Sequence, residues 1–142
     1  MKISDILRHK GTEVVTIGSG EPIRGVLALL AEHNVGALVV VDDDDVVGIV
    51  SERDIVRKLH ERGDEVLQDS ASGLMTAPIL SCAPHDPVET IAATMTDNRI
   101  RHMPVLNDGR LAGIVTIGDV VAGQIRQLAQ DRDQLENYIT KG

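Results

Sequence analysis

Two aspartates, Asp54 and Asp119, each stand three residues after a hydroxyl residue, Ser51 and Thr116, in stretches that repeat one another: Gly48-Ile49-Val50-Ser51-Glu52-Arg53-Asp54 and Gly113-Ile114-Val115-Thr116-Ile117-Gly118-Asp119. In both copies an apolar run ends at the hydroxyl and a helical pattern begins there, so each reads as a strand entering a helix N-terminus. An ionised carboxylate offers two acceptor oxygens side by side, suited to a pair of neighbouring hydroxyls, and its charge strengthens such bonds. A hydroxyl at a helix start lies among free N–H groups at the positive end of the dipole, where an anion is favoured. The plainer use of the same residues is a capping box, with Asp where Glu or Gln is usual. Both uses are open to each copy.

The elements that hold these residues are themselves duplicated. The offset of 65 positions (48 to 113, 54 to 119) also carries Pro22 onto Pro87, Val40 onto Val105 and Val56 onto Val121. A period that long points to two copies of one unit rather than to a solenoid. In chain order, residues 3–9 read as a helical turn and Val14 to Thr16 as a short strand closed by Gly18-Ser19-Gly20. A helix is predicted from Pro22 to about Asn34, with Ile23, Val26, Leu27 and Leu30 at helical spacing. The β-branched runs 36–41 and 46–50 form a hairpin around Asp42 to Asp45, and a helix follows over about 52–62, stopping near Gly63. Asp64 to Ser72 is a polar connector.

The second copy repeats the order. Leu74-Met75 is a turn, Ile79-Leu80-Ser81 a strand, and a helix is entered at Pro87. The hairpin 102–106/111–115 turns at Asn107-Asp108-Gly109, a stronger turn signal than four aspartates. From Asp119 to about Ile139 nothing stops the last helix, and Val121, Ile125, Leu128, Leu135 and Ile139 follow alternating four and three spacings broken only by Arg132. Such a seam fits either a partner helix or the protein's own body.

Composition narrows the function classes. The net charge of -8 and the absence of Trp and Phe argue against nucleic-acid binding, since both the basic surface and the stacking platform are missing. Cys82 is the only cysteine, so no intrachain disulfide forms. No secretory leader or spanning run is visible, and the expectation is a soluble cytoplasmic protein without membrane association. His9, His33, His60 and His85 lack ligand spacing with Cys82 or one another, and Asp42 to Asp45 lacks the spaced oxygens of a calcium loop, so no metal site is expected. No Walker loop or nucleophile-base-acid set is present, and no catalytic residue is assigned.

On the two motifs, together with Arg101-His102-Met103-Pro104-Val105 ahead of the second, the chain from Ile3 to about Ile125 resembles a tandem pair of CBS (cystathionine β-synthase) domains, a Bateman module. The resemblance implies an α/β (α+β) fold of two pseudo-twofold-related β-α-β-β-α repeats packed as one compact module, with an extended C-terminal helix. The repeats occupy 1–63 and 73–125, separated by the connector 64–72 and followed by a helical extension over 126–142. It further implies a non-enzymatic regulatory or energy-sensing module that binds an adenosine-containing ligand (AMP, ADP, ATP, NAD(H) or S-adenosylmethionine) in the cleft between the halves and signals to a partner protein. No cofactor is required, and Mg2+ enters only alongside ATP.

Within that resemblance Asp54 and Asp119 become the ribose candidates, and Ser51 and Thr116 the phosphate-side candidates. The base falls to apolar side chains and main-chain groups opening each hairpin, here Ala37-Leu38 and His102-Met103-Pro104, with Thr16 and Ser81 as further contacts. The copies differ in charge: Arg53 in the first motif aligns with Gly118, while Arg101 and His102 align with Gly36 and Ala37. Arg53, Arg101 and His102 are accordingly phosphate candidates at unequal sites. A homodimer is expected, because small halves without aromatic residues leave faces such as Ile23, Leu27 and Leu30 thinly covered. The rival reading is a ligand-free dimerisation or scaffold protein.

Overall fold

The computed structural model describes residues 1–141. It is a mixed α+β fold whose elements follow the duplicated order: α1 (Ile3–Lys10), β1 (Thr16–Ile17), α2 (Ile23–His33), β2 (Ala37–Asp42), β3 (Asp45–Ser51), α3 (Glu52–Arg62), a 3-10 turn (Asp64–Gln68), α4 (Ala71–Leu74), α5 (Val88–Asp97), β4 (His102–Asn107), β5 (Arg110–Thr116) and α6 (Ile117–Lys141). Both hairpins close through two residues of positive φ, Asp43-Asp44 and Asp108-Gly109. That backbone suits the right-handed twist of the flanking strands, and it explains why aspartates serve where Asn-Gly is usual.

The chain forms two compact units, and each draws on both halves of the sequence. One contains Glu13–Leu80 with Asp108–Leu111; the other contains Met1–Thr12, Ser81–Asn107 and Ala112 onward. The segment in front of each repeat is therefore held in the other repeat's unit, which the linear boundaries 1–63 and 73–125 do not convey.

The hydrogen bonds of the two exchanged segments match. Ile3 N–H donates to the Asp86 carbonyl at 3.0 Å and Ser4 N–H to that of Pro84 at 2.8 Å, while Ala71 N–H donates to the Glu21 carbonyl at 2.7 Å and Ser72 N–H to that of Ser19 at 3.0 Å. Each exchanged segment then wedges a side chain against the glycine that opens a motif. A Cβ on Gly113 would lie 2.8 Å from Leu7 Cδ2, and one on Gly48 would lie 2.5 Å from Met75 Sδ and 3.1 Å from the Thr76 carbonyl oxygen.

Each unit has its own apolar core. Ile23, Val26, Leu30, Leu38, Val40, Val50, Ile55 and Val66 are buried together in one. Ile3, Ile6, Met95, Met103, Val105, Val115 and Val120 are buried in the other. Two expectations are corrected. The α2 face of Ile23 and Leu30 is core, with Leu27 half-buried against it, so it is not an exposed patch. The connector is not a polar spacer either, because Val66 in its 3-10 turn is fully buried.

The strand expected at Ile79-Leu80-Ser81 is absent; what remains is a single parallel bridge between Cys82 and Val105. The cause is Pro104. In the first copy Thr16 pairs with Val39, whose N–H donates to the Val15 carbonyl at 3.3 Å. The residue aligned with Val39 is Pro104, which has no N–H to give.

Helix α6 leaves its apolar seam bare. Ile125 is 61% and Leu128 68% exposed, and Val121, Leu135, Tyr138 and Ile139 are exposed as well. The seam does not fold back onto the protein's own described residues.

Candidate functional site

Each motif places its hydroxyl at the end of a strand and its aspartate in the first turn of the following helix. Ser51 is the N-cap of α3: its Oγ accepts from Asp54 N–H at 3.2 Å and donates to Asp54 Oδ2 at 2.9 Å, and Ser51 N–H donates to the same oxygen at 3.0 Å. At α6, Thr116 Oγ1 accepts from Asp119 N–H at 3.1 Å and Thr116 N–H donates to Asp119 Oδ2 at 2.9 Å. The capping use of the motif is thus realised in both copies. It does not exhaust the carboxylates. In both, the bonds converge on Oδ2, and among the described residues neither Oδ1 has a hydrogen-bond partner.

The second site contains a cation that sequence reasoning missed. Lys10, the last residue of α1, donates from Nζ to Asp119 Oδ2 at 2.6 Å and to the Ile114 carbonyl at 3.0 Å. The pair is mostly shielded, with side chains 28% and 23% exposed. Burial acts to raise the Asp119 carboxyl, but the Lys10 hydrogen bond, the Thr116 N–H and the Lys10 charge outweigh it and hold the group below its usual value. Asp54 has no ion-pair partner among the described residues; its Oδ2 accepts from Ser51 Oγ at 2.9 Å and from Ser51 N–H at 3.0 Å. The only local signal for Lys10 is Lys-Gly ending a short apolar pattern, which reads as a helix C-terminus and says nothing of a residue 109 positions away.

The other candidates divide by exposure. Arg53 lies in the exposed first turn of α3. Arg101 is exposed just before β4, and its carbonyl accepts the Ile117 N–H at 2.9 Å, which fixes its backbone beside the start of α6. The aligned bond in the first copy runs from Glu52 N–H to the Gly36 carbonyl, also at 2.9 Å. His102 opens β4 and is half-buried. Thr16 and Ser81 are exposed, whereas Ala37, Leu38, Met103 and Pro104 are buried. Leu38 and Met103 are committed to the two cores.

Among the described residues no group of His, Cys, Asp and Glu is placed to hold a metal ion. Cys82 is buried, and desolvation with the nearby Asp86 charge pushes its thiol up to about 12, which leaves it unreactive at neutral pH. No helix among the described residues is long and apolar enough to cross a membrane.

The family model of the CBS domain matches this sequence twice, over residues 3–61 and 71–125. The chain belongs to the CBS domain family. Solved CBS structures agree with the fold. A CBS-domain-containing protein of Agrobacterium tumefaciens is 40% identical, with a TM-score of 0.85 over 87% of this chain and 99% of that one. A CBS domain protein of Pyrobaculum aerophilum, complexed with AMP, is 32% identical, with a TM-score of 0.74 over 84% of this chain and 89% of that one. The CBS domain pair of protein MJ0100, in complex with 5-methylthioadenosine and S-adenosyl-L-methionine, is 26% identical, with a TM-score of 0.79 over 89% of this chain and 98% of that one.

Proposed function

We propose that this CBS domain pair is a non-catalytic regulatory module that binds an adenosine-containing ligand through its two repeated helix starts and passes occupancy to a protein partner. The observation that carries the reading is that, among the described residues, Oδ1 of Asp54 and of Asp119 has no hydrogen-bond partner beside a helix N-terminus. One carboxylate oxygen is held by the cap, which fixes the group's direction, and the other remains to accept a ribose hydroxyl with charge assistance. Ligand complexes of similar CBS proteins, one with AMP and one with 5-methylthioadenosine and S-adenosyl-L-methionine, support adenosine as the common element. Arg53 at α3 and Arg101 at α6 are the exposed guanidinium groups suited to a phosphate, and Ser51, Thr116 and His102 lie in the same neighbourhoods.

The base would be met by the main chain at Ala37-Leu38 and at His102-Met103-Pro104, with Thr16 and Ser81 at the strand entries. Mg2+ would accompany ATP alone. We further propose a homodimer, built on exposed apolar residues such as Val56 (63% exposed) and the α6 seam. A cytoplasmic setting suits a chain with one buried, unreactive cysteine.

Thermal shift against AMP, ADP, ATP, NAD(H) and S-adenosylmethionine tests the ligand class, since binding to the folded state alone adds about 2.7 kcal/mol at one hundred times the dissociation constant. A shift by at least one of the five is expected. A second reading has its own observation: both motifs form complete capping interactions without a ligand. If none of the five moves the melting temperature, the motifs are caps alone and the protein is a scaffold.

A further inference from the structure

The two repeats match in backbone and in capping, yet they differ in one charge. In the Asp119 copy a lysine from the exchanged helix α1 sits on the acid; in the Asp54 copy the acid's partners among the described residues are the neutral N–H and hydroxyl of Ser51. We propose that Lys10 is the residue that makes the Asp119 repeat selective for phosphate-bearing adenosine ligands, while the Asp54 repeat accepts uncharged ones. The inference rests on adenosine binding as proposed above and deepens it.

A phosphorylated nucleoside brings at least one negative charge toward a carboxylate that must hold its ribose, and that repulsion weakens binding unless a cation stands nearby. Lys10 cancels the Asp119 charge at a contact of 2.6 Å without occupying Oδ1, so the ribose acceptor survives while the repulsion does not. The ammonium lies at the end of a flexible four-carbon stem anchored at its base by α1, so it can turn from Oδ2 toward an incoming anion without moving the helix. Arg101, whose carbonyl accepts from Ile117 N–H at the start of α6, is a second exposed cation next to that helix start in the fold. The Asp54 motif carries the exposed Arg53, and among the described residues no ion pair neutralises its acid. Ser51 Oγ adds a hydrogen bond there but no charge.

The test is calorimetric titration of AMP and of adenosine into the full chain carrying Asp54→Asn, which weakens the Asp54 copy so that the Asp119 copy dominates the heat, and into the same chain with Lys10→Met, Lys10→Gln or Lys10→Arg. Melting curves accompany each variant. Lys10→Met is expected to weaken AMP by about ten-fold or more, the loss of one charge-assisted bond. Adenosine should change by less than about three-fold, and Lys10→Arg should keep the AMP preference. Lys10→Gln removes the charge but retains a donor for the Ile114 carbonyl, and it takes the place of Lys10→Met if that variant does not fold. Equal losses for the two ligands, or tighter AMP binding without the charge, would overturn the role of Lys10 while leaving adenosine binding intact. Failure of the unsubstituted chain to bind AMP or adenosine, while another of the five ligands shifts its melting temperature, would overturn the role of Lys10 alone; failure with all five would overturn the underlying reading with it.

Discussion

Leu7 rests on Gly113: the hydrogen that glycine carries in place of a side chain is what lets the leucine of α1 pack against the strand that ends at Thr116. The glycine opening each repeated motif is thus explained by packing, independently of any ligand. Gly113→Ala should destabilise the protein by about 1–3 kcal/mol, the usual cost of overfilling a packed site. Leu7→Ala should recover part of that loss in a double-mutant cycle, because the leucine end is what the new methyl strikes. Gly48→Ala should be the worse of the two, since a backbone oxygen of Thr76 as well as Met75 stands in the way. Urea unfolding of the four variants measures all of this, and additive losses for Leu7→Ala and Gly113→Ala would show that the contact is not the reason for the glycine.

Acid should weaken the start of α6. The Asp119 carboxyl is held below its ordinary value in the folded state, so the unfolded chain takes up its proton first as pH falls. The stabilisation from the Lys10–Asp119 pair is therefore complete above the ordinary carboxylate range and is lost as pH drops through the lowered folded value. Melting temperatures of the parent and of Asp119→Asn should differ by a constant amount above about pH 5 and converge in stronger acid. A gap that stayed open at low pH would mean that the charge of Asp119 is not its source.

If the repeated acids hold ribose, conservative loss of either charge should weaken the ligand without collapsing the fold. Asp54→Asn and Asp119→Asn each keep the shape of the cap and remove the stronger acceptor. Each is expected to reduce affinity at its own site by about ten-fold or more for a ligand shown to bind the parent. Retention of full affinity by both variants in calorimetry would withdraw the ribose assignment.

The bare seam of α6 makes a prediction about assembly. Sedimentation at micromolar concentration should find a dimer, and replacing Ile125 and Leu128 by Glu should shift it toward monomer with little change in melting of the separate units, because both side chains are already exposed. A parent that sediments as a clean monomer would exclude the homodimer.

What can be read from the sequence is local. The duplication, both hairpins, the start of α3 at Ser51 and its stop at Gly63 follow from periodicity and turn chemistry within a few residues of one another. What escapes is decided at long range. Pro104 erases a strand well before it in the chain by withholding one N–H, and Val66 is drawn into a core although its neighbours are polar. Leu30 reads as uncovered because the segment around Val66 that shares its core reads as spacer. Lys10 is invisible as a site residue because its partner lies 109 positions further on, and no period connects them.

The exchange of leading segments has a consequence for how the chain comes apart. A cut in the 3-10 turn at Asp64–Gln68 would give two fragments, but neither would carry a whole unit: the first would take away Met1–Thr12, and the second would take away α4 with Met75 and Thr76. Each fragment would have to borrow back the piece it lacks. Cleavage there should therefore yield strands of chain that reassociate when mixed, in the manner of fragment complementation, whereas a repeat expressed by itself over 13–63 would lack the wedge behind Gly48 and remain unfolded.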